Sequence, residues 1–253
     1  MVVGVALLLL IVVPLAQAEL TERGDLFVRF KGGIAPNALP RTKLAPIAVS
    51  VAGTVKTLSG DRPPALRRIR IELNRGGRLD SHGLPACRYS QLVAASPSQA
   101  LAACRDALVG KGAYDAKTAF PEQATFRSEG DILAFNAVYE GHSAILAHVY
   151  GGEPIPISRI VVFHIRRRGG TFGTILTGAL PDAVNHYGYV TGIALRLFRR
   201  FEFRGRQRSY ISAACAAPAG FPSAVFPFAR ASMDFADGRT LSSTLTRSCK
   251  VSG

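Results

Sequence analysis

Residues 68–74, RIRIELN, contain the pattern that decides the fold class. Ile69, Ile71 and Leu73 alternate with charged or polar residues, so an extended chain places the three aliphatic side chains on one face of a strand. Comparable segments, separated by glycine, proline and aspartate turns, lie at 45–57, 132–139, 145–149, 158–166, 171–180, 193–203, 209–215, 226–235 and 240–249. The sequence therefore predicts a mainly β fold, an antiparallel β-sandwich or open barrel of about ten strands.

One segment departs from this alternation and predicts an α-helix near residues 96–109. It begins with a capping box, in which Ser96 is the N-cap and Gln99 occupies the third helical position. Gly110 follows where a helix commonly ends on a left-handed residue. The helical period places three side chains on the buried face, Leu101, Cys104 and Leu108.

The last hairpin has two possible registers. A two-residue turn at Asp237-Gly238 would place Asp234 opposite Leu241. A three-residue loop instead pairs Met233 with Leu241 and brings the apolar faces of both strands together. Because a shift of one residue turns every side chain to the other face, burial favours the longer loop, with Gly238 in a left-handed bulge.

The first eighteen residues predict a secretory signal peptide. Residues 1–15 carry no charged side chain, and 16–18, AQA, form a small-x-small cleavage signature. An uncleaved anchor is the alternative interpretation. We expect residues 19–253 to form a single β-rich domain that is secreted or held in the cell envelope.

The four cysteines all follow this segment, and an oxidising compartment predicts two disulfides with three possible connectivities. We expect the pairs Cys87–Cys104 and Cys215–Cys249, because the first closes a short loop and the second joins two C-terminal strands. The sequence has no Cys-x-x-Cys, and no histidine closely follows a cysteine. We therefore expect neither a metal site nor a cofactor.

The chain is strongly basic. Lysine and arginine total 31 against 17 acidic residues, a formal net charge of +14, and most of these cations are arginine, which binds phosphate and carboxylate groups in bidentate fashion. The candidate binding face comprises Arg166, Arg167, Arg168, Arg196, Arg200 and Arg204. We expect an anionic cell-wall polymer or membrane surface as the partner, with nucleic acid less favoured; a solvated outer face and an arginine-rich genomic composition are the alternatives.

Catalytic motifs are weak. The histidines are His82, His142, His148, His164 and His186, and no Gly-x-Ser-x-Gly or His-Glu-x-x-His motif is present. The triad-type residues at 80–82 are adjacent in a loop, which does not create triad geometry. The sequence thus favours a non-catalytic exported domain. The alternative is a secreted hydrolase assembled from distant loops, which requires a pocket holding His148, His164 or the carboxylates near Glu122.

Five short segments carry a family resemblance: 83–88 (GLPACR), 104–110 (CRDALVG), 120–123 (FPEQ), 188–192 (GYVTG) and 244–249 (TLTRSC). In these motifs the chain resembles a group of uncharacterised, secreted, β-rich proteins from high-GC Gram-positive bacteria. The resemblance spans most of the chain after residue 18. It implies export and a β-rich fold, and it implies no activity.

Overall fold

The computed structural model describes residues 19–118, 122, 124–153, 156–180 and 188–252. It is mainly β, with 64% of residues in strands and 6% in helices, and one large sheet curls into a half-barrel. The predicted fold class is confirmed. None of the helices described is long and apolar enough to cross a membrane. The predicted signal peptide, residues 1–18, lies outside the described residues.

The elements follow one another in this order: β1 Glu19–Arg23, β2 Leu26–Ala35, β3 Ala38–Leu39, β4 Ala45–Pro46, β5 Ala48–Thr57, β6 Leu66–Asn74, β7 Gly77–Leu79, α1 Pro97–Cys104, β8 Leu108–Thr118, β9 Phe126–Tyr139, β10 His142–Gly151, β11 Ile157–Arg167, β12 Phe172–Ala179, β13 Gly188–Leu197, β14 Arg200–Phe203, β15 Arg206–Ser209, β16 Ile211–Ala213, β17 Ser223–Phe235 and β18 Thr240–Val251. Short 3-10 helices lie at Tyr89–Gln91 and Arg105–Ala107.

The large sheet has thirteen strands in the order β1-β2-β5-β13-β8-β9-β10-β11-β12-β6-β17-β18-β3. All neighbours are antiparallel except β18 and β3. The curl brings the first strands back to the β17–β18 hairpin, where side chains join them. Glu19 accepts hydrogen bonds from Ser243 Oγ at 3.1 Å and from the backbone of Thr246 at 3.0 Å, and Arg239 bonds to Asp25 at 2.6 Å.

The two ends of the curled sheet differ. At the disulfide end, β4, β16 and β7 form a small separate sheet and Cys215 is bonded to Cys249. At the opposite end, which we call the Gly188 end, β8 finishes and β9, β11 and β13 begin. The ladders place the β17–β18 turn at the Gly188 end and the last residues of β18 at the disulfide end.

The region between β7 and β8 covers the outer face of β9 to β11. Its side chains form a cluster with those strands that includes Leu92, Ala100, Phe135 and Leu146. These strands are apolar on both faces as a result, because Ile132 on the opposite face borders the interior. Within this covering segment, the disulfide Cys87–Cys104 joins the end of the helix to the residues that precede it. Both predicted disulfides are thus confirmed.

The capping box is confirmed, but the helix is shorter than predicted. Ser96 Oγ accepts a hydrogen bond from the backbone of Gln99, and the Gln99 side chain accepts one from the backbone of Ser96. The helix ends at Cys104, and Leu108 already begins β8. Gly110 is not a helix cap, since it pairs with Leu197 in the sheet, where an added Cβ would lie 2.6 Å from a neighbouring carbonyl oxygen. Leu101 and Leu108 are half-buried and pack against the outer cluster.

The predicted register of the last hairpin is confirmed. Met233 pairs with Leu241 and Ala229 with Leu245, while Gly238 adopts a left-handed φ of 82°. The single strand predicted at 193–203 is wrong. The strand β13 ends at Leu197 after a last ladder bond from the backbone of Phe198 to the carbonyl of Val109 at 2.8 Å, and β14 belongs to a separate hairpin with β15.

Candidate functional site

The concave face of the curled sheet encloses a cavity of about 640 Å³. Its wall is overwhelmingly apolar, with aliphatic side chains contributed by strands from both halves of the sheet. Representative wall residues are Val51, Ile71, Ile132, Val161, Ile193 and Leu195. Apolar and polar side chains alternate along these strands, as the sequence predicts. The apolar side chains that point inward therefore border the interior without filling it.

Glycines on the concave face let aromatic rings lie against the sheet. An added Cβ at Gly130 would lie 2.7 Å from Cε1 of Tyr114, and one at Gly151 would overlap the Tyr114 hydroxyl. An added Cβ at Gly178 would lie 2.7 Å from Cε1 of Phe163. Because each ring occupies space that a side chain would otherwise take, the rings lie close to the wall and the centre stays open.

Polar side chains of the cavity wall concentrate at the Gly188 end. Thr118 is the last residue of β8, Ser128 and Arg159 are the third residues of β9 and β11, and Tyr189 is the second residue of β13. The opposite end of the interior is lined by the buried apolar cluster that includes Leu39, Ile47, Leu79 and Ile211, around a smaller cavity of about 130 Å³. The cavity therefore has one polar end and one apolar end.

Two of the polar groups near this end are hydroxyls that belong to the wall. Burial raises the pKa of the Tyr114 phenol, and the hydrogen bond with Ser128 only partly opposes this rise. Tyr114 is therefore a neutral phenol at physiological pH. Ser128 Oγ also donates to the carbonyl of Glu153 at 3.3 Å. The two hydroxyls provide hydrogen-bonding groups without charge.

Arg159 supplies a positive charge at the same end. Its Nη1 donates to the carbonyl of Ser158 at 2.9 Å, and no carboxylate of the described residues lies within ion-pair distance of it. A second cation, Arg62, donates to the carbonyl of Gly188 at 3.1 Å and lies 5.8 Å from the ring centre of Tyr189. Among the described residues that line the cavity, none is acidic, and Lys31 is the other charged one.

The histidines considered for catalysis do not meet in this cavity. His148 is fully buried on the outer face of β10, where its Nε2 donates to the carbonyl of Ala95 at 2.9 Å and lies 3.0 Å from Ser158 Oγ. Burial lowers its pKa. His164 lies on the same outer face, with its ring 5.9 Å from that of Tyr139, and Glu122 is exposed. The pocket that the hydrolase alternative requires is therefore not formed by these residues.

The triad-type residues of the loop 80–82 make local structural contacts. Asp80 Oδ1 accepts a hydrogen bond from the backbone N–H of His82, and Oδ2 pairs with Arg208 at 3.3 Å. The His82 ring packs edge-on against Phe203, with 5.0 Å between ring centres. The carboxylate thus orients the loop backbone and holds the β14–β15 hairpin, and it does not orient the imidazole. The fifth histidine, His186, lies outside the described residues.

The predicted basic residues all lie toward the disulfide end, but not on one strand. Arg166, Arg168 and Arg200 are exposed. Arg167 is exposed as well, and it donates to Thr174 Oγ1 at 2.8 Å and to the carbonyl of Leu79. Because β13 ends at Leu197, Arg196 is separated from Arg200 and Arg204, and Arg204 lies in the turn of the β14–β15 hairpin.

Aromatic rings support several of these cations. Arg196 lies 5.4 Å from the centre of the exposed Phe198 ring. Arg204 and Arg208 lie 5.2 and 5.6 Å from the Phe203 ring centre. Cation–π contacts of this kind hold the guanidinium groups at the surface.

No family model, curated protein or solved structure matches the chain significantly. The cavity and the surface charge are therefore the features of the molecule that bear on its function. The cavity and its polar end were not predicted from the sequence. Glycines inside apolar segments could have indicated the cavity, since glycine within a strand marks a close approach by another group. These glycines are Gly53, Gly130, Gly151 and Gly178.

Proposed function

We propose that the protein is an exported binding protein that holds a molecule with a long apolar portion inside its curled sheet. The single observation that carries this proposal is the apolar cavity of about 640 Å³. Its volume lies within the range of small-molecule sites, roughly 300 to 1,000 Å³, and such sites are lined mainly by apolar and aromatic side chains with a few polar groups.

The physical reason is the cost of leaving such a space empty. Side chains that border a void lose dispersion contacts, and water gains little in a cavity with few polar partners. An apolar ligand restores these contacts and gains about 0.8 kcal/mol for each methylene group that it removes from water. The wall therefore selects for apolar surface on the ligand.

Export is part of the proposal. Two disulfides are consistent with an extracellular location. The signature at 16–18 and the resemblance to secreted proteins support the same compartment. An exported protein with such a cavity can carry a poorly soluble molecule through an aqueous space.

The test is binding of a neutral apolar fluorophore, N-phenyl-1-naphthylamine, to the purified protein. We expect a saturable rise in fluorescence. The variant Ala231→Phe places a ring inside the cavity, because Ala231 lines it, and should weaken binding about tenfold or more. The matched control is Ala194→Phe, which adds the same ring to an exposed position of β13.

Circular dichroism and thermal unfolding establish that both variants fold. The proposal is wrong if the folded wild-type protein gives no saturable signal, or if the two phenylalanine variants bind the fluorophore equally. Native mass spectrometry of the freshly purified protein gives a second readout, since a bound apolar molecule adds mass that organic extraction removes.

A second candidate function, binding to an anionic polymer or membrane surface, is favoured by the ring-supported arginines near the β14–β15 hairpin. The test is retention on heparin at low and then physiological salt, because neutralising several anionic groups releases counterions. Arg196→Gln/Arg200→Gln/Arg204→Gln should elute at markedly lower salt than the wild type. The control with the same change in charge, Arg29→Gln/Lys56→Gln/Lys117→Gln, removes exposed cations elsewhere. Equal elution of the two triple variants contradicts this candidate.

A further inference from the structure

The distribution of polarity along the cavity identifies the class of its ligand. We propose that the ligand is a single-chain amphiphile with an anionic head group, and that Arg159 binds the head group at the Gly188 end of the cavity. This inference rests on the proposed function. It adds the orientation of the ligand, the sign of its charge and the residue that recognises it.

The orientation follows from the two ends of the cavity. The polar wall residues Thr118, Ser128 and Arg159 are all within three residues of a strand end at the Gly188 end. Toward the disulfide end the interior is lined by aliphatic residues such as Ile211 and Leu79. A ligand with one polar end therefore places its head group at the Gly188 end and its tail toward the disulfide end, since burying a polar group without hydrogen bonds costs several kcal/mol.

The charged residues of the cavity wall indicate the sign of the charge on the ligand's head group. Arg159 and Lys31 are the charged residues among the described residues that line the cavity, and both are cations. Two acidic residues of the neighbouring strands face away: Asp115 and Glu129 pair with Arg127 at 2.7 and 3.0 Å on the exposed side of the sheet. The electrostatic field at the polar end therefore favours an anion.

Arg159 is the residue suited to hold that anion. Its guanidinium carries several N–H donors, of which the structure engages one nitrogen with the carbonyl of Ser158. The remaining donors match the two oxygens of a carboxylate or the oxygens of a phosphate. The neutral hydroxyls of Tyr114 and Ser128, which are bonded to each other and to the carbonyl of Glu153, bring no competing negative charge to this end.

A second cation, Arg62, lies near the same end without lining the cavity. Arg62 lies over the Tyr189 ring and bonds to the carbonyl of Gly188. Carboxylates and phosphate monoesters share the required chemistry, so the experiment includes both.

The experiment measures binding of 12-(1-pyrenyl)dodecanoic acid and of its methyl ester, which has one additional methyl group and no charge on the head group. Protein freed of co-purified molecules on a hydrophobic resin is titrated with each probe. We expect the acid to bind the wild-type protein about tenfold more tightly than the ester, a factor typical of one charge-assisted hydrogen-bonded pair. Competition by lauric acid and by lauroyl lysophosphatidic acid then distinguishes a carboxylate from a phosphate head group.

The variant Arg159→Gln keeps hydrogen-bonding capacity and removes the charge. It should lose the preference for the acid while binding the ester with unchanged affinity. The matched control Arg29→Gln removes an exposed cation from β2 and should retain the preference. If the ester binds the wild type as tightly as the acid, or if Arg159→Gln keeps the preference, the head-group assignment is overturned while the cavity proposal stands. Failure of both probes and of the neutral fluorophore overturns both proposals together.

Discussion

Strands β9 to β11 present apolar side chains on both faces, and the two faces meet different surroundings. On the outer face, Leu133, Phe135 and Leu146 pack beneath the segment that contains α1. On the inner face, Ile132 and Val161 border the cavity. The same alternation thus yields two apolar surfaces, of which the chain itself fills only one.

The difference teaches how this fold separates stability from binding. A surface filled by the chain contributes its full burial to the folded state, and the disulfide Cys87–Cys104 holds the filling segment in place. A surface left unfilled contributes less and gains stability when a ligand occupies it, because a ligand that binds only the folded state shifts the folding equilibrium. The covered face and the cavity wall should therefore respond differently to the same substitutions.

The largest expected effect is a difference in stability between two leucine-to-alanine variants, one on each face. Leu146→Ala removes a fully buried side chain from the covered face and should lower the free energy of unfolding by about 4 kcal/mol, as expected for a new void in a packed core. Leu195→Ala enlarges a cavity that already exists and should cost only about 1 kcal/mol, since Leu195 has fewer contacts to lose. Urea denaturation measures both. Equal losses would show that the two faces are packed alike.

The next effect concerns the covalent link of the covered face. Replacing Cys87 and Cys104 together by alanine should lower the free energy of unfolding by about 3 kcal/mol, from the entropy of the loop closed over a sequence separation of 17 residues. The same change at Cys215 and Cys249, separated by 34 residues, should cost about 0.6 kcal/mol more, because the loop is twice as long. Binding of the neutral fluorophore at low temperature should persist in the Cys87/Cys104 variant, because that link lies outside the cavity.

Local patterns in the sequence were sufficient for much of the fold. The alternation at 68–74 corresponds to β6, the burial argument gave the Met233–Leu241 register, and the capping box gave the start of α1. The strands β2 and β8 were missed. Gly32 and Gly33 interrupt the apolar pattern of β2, and Gly110 and Gly112 interrupt that of β8. Glycine is unfavourable in strands unless another part of the chain requires the space, which a local pattern does not reveal.

The site was less accessible from the sequence, for a geometric reason. The volume of the cavity depends on the curl of a thirteen-stranded sheet and on the approach of β17 to β5, where Met233 Cε lies 3.0 Å from the position of an added Cβ on Gly53. Residues far apart in the sequence determine that geometry. Arg159 falls in the predicted strand 158–166 and is exposed, as Arg166 of the same strand is, so nothing local distinguishes the two.

A smaller effect tests the wall itself. Gly130→Ala adds a methyl group that would overlap the backbone carbonyl of Tyr150 and press on the Tyr114 ring. Because a backbone atom moves only with its strand, we expect a loss of about 2 kcal/mol in the free energy of unfolding. Gly152→Ala, where an added Cβ meets nothing within 4 Å, is the control and should change it little. A neutral result at Gly130 contradicts the close approach of ring and sheet.

The smallest effect is a pH dependence that originates on the covered face. Burial is the main cause that lowers the pKa of His148 from its ordinary value of 6.5, and the hydrogen bond to Ala95 partly opposes it. Above about pH 6.5 the imidazole is neutral in both folded and unfolded chains, so the full stability is present. As the pH falls below that value, the unfolded chain takes up a proton that the folded chain does not, and stability declines until the pH reaches the folded pKa. The contribution of one such group is at most about 1.4 kcal/mol per pH unit.

Urea denaturation at pH 7.5 and 5.5 measures this loss of stability. The free energy of unfolding should fall less in His148→Gln than in the wild type. The control His142→Gln changes an exposed residue of the β9–β10 hairpin, and its free energy of unfolding should fall as that of the wild type does. An unchanged decline in His148→Gln would mean that water reaches this imidazole, and that the covered face is less completely filled than its packing indicates.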